Sequence, residues 1–299
     1  MTTSTSVPAW HGAPSVVVNG VSGVAGAARA LRGLCTPATL TGGLTELAWV
    51  GAHALLWPLG TRAEVPVPDA RCRPDRQPPS VRAFFAADPL AARVPVVLVH
   101  GMVDNRSIFT VMSRSLRRRG FTSVSTWNYS PLVQDVRVAA GQLAEHLARV
   151  CEQTGHDRVH VVGHSLGGIV ARYLVQCGDA DRVASLTTLG SPHGGTLWAH
   201  AVPTPLIRQL RSGSDLMAEL DRPAPGVDIP VTAVYSDLDQ LVLPVSHGRC
   251  DHPDLRARNV LVHGVGHMSL PIHRAVVDEV AATLAGHRAT GRGTHVAAA

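Results

Sequence analysis

Lysine is missing from this chain: all 27 basic residues are arginine, set against 22 acidic ones. The net charge of +5 and the pI near 9.3 would suit an acidic partner. The same sequence is heavy in Ala, Val and Gly, so the arginine excess reads as compositional bias of a GC-rich genome. The arginines are scattered apart from Arg117, Arg118 and Arg119. Aromatic residues make up only 4% of the chain, too few for a base-stacking platform. Nucleic acid is therefore excluded as an expected partner. Cysteine is sparse as well. Cys35, Cys72, Cys151, Cys177 and Cys250 are widely spaced, with no Cys-x-x-Cys, which excludes a disulfide framework. Cys151 and Cys177 fall in helical patterns and are expected to be small buried hydrophobes.

Long uninterrupted apolar runs are also lacking. Residues 1–28 carry no Arg, and Pro8, Pro14, Gly20, Gly23 and Gly26 interrupt them, so no standard secretory signal is expected. The apolar stretch 47–60 (LAWVGAHALLWPLG) falls short of the roughly 20 residues of a spanning helix. Residues 183–207 are longer but broken by Pro and Gly. No transmembrane helix is expected, and the protein is placed in the cytoplasm or at a membrane surface, with export left open. Trp49 and Trp57 in the 47–60 segment allow two readings, a helix resting on lipid or one packed on the main body.

What is present suffices for a sizeable core: 299 residues, 45% of them hydrophobic. The expected organisation has three parts. Residues 1–90 form an N-terminal extension, with a helical segment followed by the Pro- and Arg-rich strap 65–80 (VPVPDARCRPDRQPPS), which can hold neither helix nor inner strand. Residues 91–288 form the main domain, and 289–299 a flexible tail.

Within the main domain, strand and helix alternate. Strands are expected at 94–100, 122–128, 158–163, 183–189, 230–235 and 259–263. Helices are expected at about 106–119, 134–153, 166–177 and 269–286. Val138, Leu143, Leu147 and Val150 are assigned to one face of the second helix. Asp104 and Asn105 stand where they would cap the first. The alternation predicts an α/β architecture, a mostly parallel sheet with helices on both faces, whose functional groups sit at the carboxyl ends of the strands. Residues 190–229 are an irregular, cap-like insertion. Its apolar positions, including Leu197, Trp198, Leu206, Leu216 and Leu220, serve either as pocket wall and moving cap or as a plain packing face.

One motif falls on a strand-to-helix turn. Gly163-His164-Ser165-Leu166-Gly167-Gly168 follows the third strand directly. Gly-x-Ser-x-Gly alone is a weak signal, but its position sharpens it. Small neighbours let chain segments pass while Ser165 takes a strained backbone that pushes its hydroxyl out. A serine needs a base oriented by a carboxylate before it can attack. His267 lies just past the last strand. The preceding loop, YSDLDQLV at 235–242, offers Asp237 and Asp239, and Asp239 is preferred. Oxyanion donors are expected from the backbone N–H groups of Leu166 and Met102. His100, beside Met102, is read equally as a hydrogen-bonded loop residue or as a participant. The denser group His247, Cys250, Asp251 and His252 lacks zinc spacing, and His193 is assigned to structure or pocket, so no metal and no cofactor are expected.

Five segments, VPVVLVHGM, GHSLGG, GSPHGGT, YSDLDQLV and VHGVGHMSL, make residues 94–285 similar to the bacterial lipase branch of the α/β-hydrolase superfamily. Small lipases of that branch have an Asp and a His at the positions of Asp239 and His267, and the order Ser165, Asp239, His267 matches. The resemblance implies an α/β-hydrolase fold and a serine carboxylester hydrolase. Its substrates would be acylglycerols or other lipid esters, met with peripheral contact at a lipid surface. An acyltransferase or polyester hydrolase with the same triad, and a non-catalytic lipid-binding protein on this fold, are the competing expectations. Compared with the smallest lipases, the insertion after Gly190 and the first 90 residues are additions.

Overall fold

The computed structural model describes residues 91–286 apart from 103, 131 and 132, together with residues 79 and 85. The 47–60 segment, the rest of the 65–80 strap and the 289–299 tail lie outside the described residues.

The apolar run 96–99 becomes a strand covered on both faces, because neither face can be left to water, while the other strands mix polar side chains with apolar ones. The six are β1 Val96–Val99, β2 Val124–Trp127, β3 Val159–His164, β4 Val183–Leu189, β5 Val231–Ser236 and β6 Arg258–Val262. They pair in the order β2-β1-β3-β4-β5-β6, and every pairing is parallel. Between them run α1 Thr110–Arg118, α2 Val136–Thr154, α3 Leu166–Cys177, the short α4 Pro205–Arg208 and α5 Asp215–Leu220, and α6 Arg274–Leu284. Successive strand residues point to opposite faces, and two cores result. Val97, Val99, Val161 and Leu186 pack with α2 and α3 on one side. Val96, Leu98, Val162, Leu189 and Val234 pack with α1 and α6 on the other.

Helix ends follow local chemistry. The Asp135 side chain accepts the Arg137 N–H at 2.8 Å to start α2, and Gly155, at φ +69°, ends it. Asn105 performs the same capping for the 3₁₀ turn Arg106–Phe109 that leads into α1. The last helix starts five residues later than expected, at Arg274 against 269, since Pro271 forces a run of turns first. Val138 is 54% exposed, and the buried stripe of α2 is instead Val136, Ala139, Ala140, Leu143, Leu147 and Val150. That set keeps the three- and four-residue spacing which Val138 breaks. Cys151 is buried, but Cys177, the last residue of α3, is exposed.

The chain runs outward from β1 to β2, crosses back to β3, and from there proceeds the other way to β6. This reversal opens a crevice between the carboxyl ends of β1 and β3. The loops carrying Met102 and Ser165 border it.

Candidate active site

Ser165 joins β3 to α3 with φ +54° and ψ −124°, a conformation that a non-glycine residue holds only when its surroundings enforce it. The surroundings are glycines. A Cβ on Gly163 would stand 2.5 Å from the Gly168 backbone, and one on Gly167 would stand 2.3 Å from the Val99 carbonyl oxygen. The turn is held by the Ser165 N–H, which donates to Leu189 O at 2.9 Å.

His267 reaches this point from the far edge of the sheet. Its loop leaves β6 and crosses the ends of β5 and β4. Its ring centroid lies 4.9 Å from that of His164, the last residue of β3. Nδ1 of His267 is 2.8 Å from Asp239 Oδ2, with both side chains 2% exposed. The other Asp239 oxygen accepts the Leu241 and Val242 N–H groups, each at 2.9 Å. Burial opposes the Asp239 charge, but His267 and the two amides outweigh it, holding its carboxyl below the usual carboxylate range. Asp237 is turned elsewhere: it receives the Gly264 N–H at 2.8 Å and lies 2.6 Å from His263 Nδ1, both at the surface. Of the two aspartates offered by the sequence, Asp239 is the one brought to His267.

Two residues that support this pair lie in the YSDLDQLV and GSPHGGT segments, yet neither had a task assigned from sequence. Ser236, fully buried at the end of β5, donates to Val265 O at 2.5 Å and joins the Asp loop to the His loop. Gly190, at φ +57°, passes so near that a Cβ would stand 2.9 Å from Asp239 Oδ2.

On the β1 side, Gly101 is pressed onto the Ser165 turn, its missing Cβ being 2.9 Å from Ser165 Cβ. Met102 follows it, half-buried. The Leu166 N–H opens α3, where no carbonyl of the helix can reach it. His100 is buried and stacks on Tyr129 at 4.5 Å, with Nδ1 2.8 Å from Gly101 O. The Tyr129 hydroxyl donates to the same carbonyl at 3.0 Å. Burial, with the Asp104 charge added, pushes that hydroxyl well above its ordinary range, so it remains a donor. Tyr129 thus fixes the loop that carries Met102, and only its place just after a strand could have flagged it.

The insertion after β4 is stapled down over part of its length. Leu206, Ile207, Leu210, Leu216, Met217 and Leu220 join the core. Arg172 of α3, itself buried, donates to His193 O at 3.0 Å and to Leu220 O at 2.9 Å. Leu197, Trp198 and Val202 remain exposed, beside exposed Leu241 of the Asp loop. Trp198 Nε1 donates to Gln240 O at 2.6 Å, tying the two together.

His193 is buried against Thr188 Oγ1 at 2.8 Å, and burial, reinforced by Arg172, takes its ring well below the usual histidine range. His247 and His252 are engaged with the carbonyls of Gly195 and Arg222. Among the described residues no three metal-ligating side chains come together, and no helix is long and apolar enough to cross a membrane.

The palmitoyl protein thioesterase family profile matches residues 95–227. The chain is 34% identical over 129 residues to a triacylglycerol lipase of Burkholderia plantarii, covering 40% of this chain and 36% of that one. It is 32% identical over 117 residues to the palmitoyl-protein thioesterase-dolichyl pyrophosphate phosphatase fusion 1 of Schizosaccharomyces pombe, covering 36% of this chain and 19% of the other. The match thus spans only about a third or less of these relatives. In fold, the chain superposes on the mature lipase BlEst2 of Bacillus licheniformis with a TM-score of 0.53 at 16% identity, over 65% of this chain and 92% of that one.

Proposed function

We propose that this chain, which belongs to the lipase and esterase branch of the α/β-hydrolase superfamily, is a serine carboxylester hydrolase acting on lipid esters. The observation that carries the reading is the buried 2.8 Å pair of His267 and Asp239, set at the carboxyl end of the sheet, where Ser165 is held in a strained turn.

Each group has a task in that reading. Asp239 accepts the Nδ1 proton of His267, which leaves Nε2 with a lone pair as the base. His267 takes the Ser165 hydroxyl proton as Oγ attacks the ester carbonyl carbon. The carbonyl oxygen becomes an oxyanion, received by the N–H groups of Met102 and Leu166. Collapse of this intermediate breaks the bond to the alkoxy oxygen. His267 returns the proton to that oxygen, and the alcohol leaves. Water, deprotonated by the same base, attacks the acyl-serine, and the fatty acid departs with Ser165 restored.

Preference for lipid over small polar esters is supported by the exposed apolar rim of Leu197, Trp198, Val202 and Leu241. Its indole N–H already engaged, Trp198 presents an apolar ring face to the surroundings. The profile match to palmitoyl protein thioesterases favours one second reading, in which the acyl donor is a thioester and the leaving group a thiol. Hydrolysis of p-nitrophenyl esters from acetyl to palmitoyl, of emulsified triacylglycerol and of palmitoyl thioester, by wild type and Ser165→Ala, tests both. Long-chain ester turnover that disappears in the variant is expected. Turnover of thioester alone would select the second reading, and ester turnover surviving in Ser165→Ala would refute both.

A further inference from the structure

His164 is the residue of the Gly-x-Ser-x-Gly turn to which the reaction above gives no task. It is nonetheless wholly buried, at the end of β3, with the oxyanion loop on one side and the His267 loop on the other. Its Nε2 lies 3.1 Å from the main-chain oxygen of His267. A carbonyl can only accept, so Nε2 carries the proton and donates. Its Nδ1 points the opposite way, to the carboxylate of Asp104, whose Oδ2 stands 3.6 Å off, beyond hydrogen-bonding distance, so the two attract only when Nδ1 carries a proton as well. Asp104 is buried too, its side chain 4% exposed. It belongs to the loop after β1 that carries Met102 and folds back beneath it, since a Cβ on Gly101 would come within 3.3 Å of Asp104 Oδ2.

Sequestering a carboxylate and an imidazole from water is unfavourable unless they are matched to each other and to further partners. Here the match joins three loops that a serine hydrolase must keep in register. The oxyanion loop enters through Asp104, the nucleophile turn through His164, whose next residue is Ser165, and the base loop through the His267 carbonyl. Small displacements of such groups lower turnover steeply, because the reacting atoms must meet in a narrow geometry.

We infer that His164 and Asp104 form a second histidine–carboxylate pair with a positioning role, holding the oxyanion loop and the His267 loop at fixed separation on either side of Ser165. This rests on the Ser165–His267–Asp239 reading, since positioning has meaning only if those groups react. Neither residue touches substrate. Their loss should therefore fall on kcat and spare KM.

The test uses the full chain with a soluble p-nitrophenyl ester, active sites being titrated with a fluorophosphonate so that kcat refers to competent protein. His164→Ala is expected to lower kcat about a hundredfold, with KM unchanged within about twofold. His164→Gln, whose side-chain amide can still donate to the His267 carbonyl, is expected to regain a large part of that loss. Asp104→Ala combined with His164→Ala is expected to be no slower than His164→Ala alone, as two members of one unit are not additive. A wild-type kcat per titrated site in His164→Ala would overturn the inference, as would multiplication of the two single losses. Should His164→Ala fail to fold, Asp104→Ala and His164→Gln decide: wild-type kcat in both overturns the inference. Ser165→Ala separates the two levels, because turnover surviving in it removes the triad itself, whereas Ser165-dependent turnover indifferent to His164 removes only the positioning pair.

Discussion

Gly190 is the floor on which Asp239 rests: a Cβ on this glycine would lie 2.9 Å from Asp239 Oδ2 and 3.2 Å from His267 Nδ1. The glycine sits at φ +57°, which a side chain would strain independently of space. Both demands arise from one loop, the one that leaves β4 beneath the pair joined above it.

Gly190→Ala should therefore do two kinds of damage. Left-handed strain alone is worth about 1–2 kcal/mol of stability, visible as a lower urea midpoint. Pushing the carboxylate away from His267 should in addition reduce kcat beyond what the stability loss explains. Folded Gly190→Ala protein with wild-type kcat would show that the close approach is without consequence.

Asp239→Asn keeps the shape of the side chain but removes the charge and reverses the tautomer logic at His267. The expected result is a fall in kcat of about 10³- to 10⁴-fold with little change in KM, as for triads in general. Asp237→Asn, changed at the surface pair with His263, should stay near wild type. The two variants compared by steady-state kinetics discriminate between the aspartates offered by the sequence.

Stability should fall on the acid side through buried histidines. Burial lowers His160 to about 4, and burial together with Arg149 lowers His146 to about 4. Both are depressed below the ordinary histidine value of 6.5. Between the two values the unfolded chain binds protons that the folded chain refuses, so stability is full above 6.5 and declines as pH falls toward 4. Asp239, depressed for the opposite reason, adds a loss only below the carboxylate range. Urea unfolding from pH 4.5 to 7.5 should show this decline, and His160→Gln should flatten it. A pH-independent midpoint in wild type would contradict the burial assigned to these rings.

Arg172→Leu should destabilise the insertion. The substitution strands the carbonyl of His193, a buried acceptor whose loss of partner is worth about 1–3 kcal/mol, and leaves Leu220 O to Gln176 Nε2, at 3.1 Å. Faster limited proteolysis within 190–229 and a lower urea midpoint are the expected signs, and an unchanged digestion pattern would mean that the insertion is held by its apolar contacts alone.

The parts of this molecule readable from sequence were those with a short-range signature. An apolar run at 94–100, alternation at 122–128 and further short strand-like segments located the six strands, and Gly-x-Ser-x-Gly on a strand-to-helix turn located Ser165, because each depends on neighbours along the chain. Val138 was misassigned since one valine near a helix start satisfies a loose count but not the spacing. Tyr129, Ser236 and Gly190 had roles that were unreadable for a different reason, although the last two lie in the YSDLDQLV and GSPHGGT segments. Each acts on a partner brought to it only by the sheet order: Tyr129 on Gly101, Ser236 on Val265, Gly190 on Asp239. Asp104, read as a helix cap, left that task to Asn105 and faces His164 across the crevice.

The most direct measurement is covalent. Full-length protein would be incubated with a fluorophosphonate, digested, and its adduct located by mass spectrometry, beside His267→Ala and Asp239→Asn. Labelling confined to Ser165, fast in wild type and slowed by orders of magnitude in both variants, is the expected result. A folded wild-type protein that is not labelled, or a label on another residue, would contradict Ser165 as a nucleophile activated by His267 and Asp239.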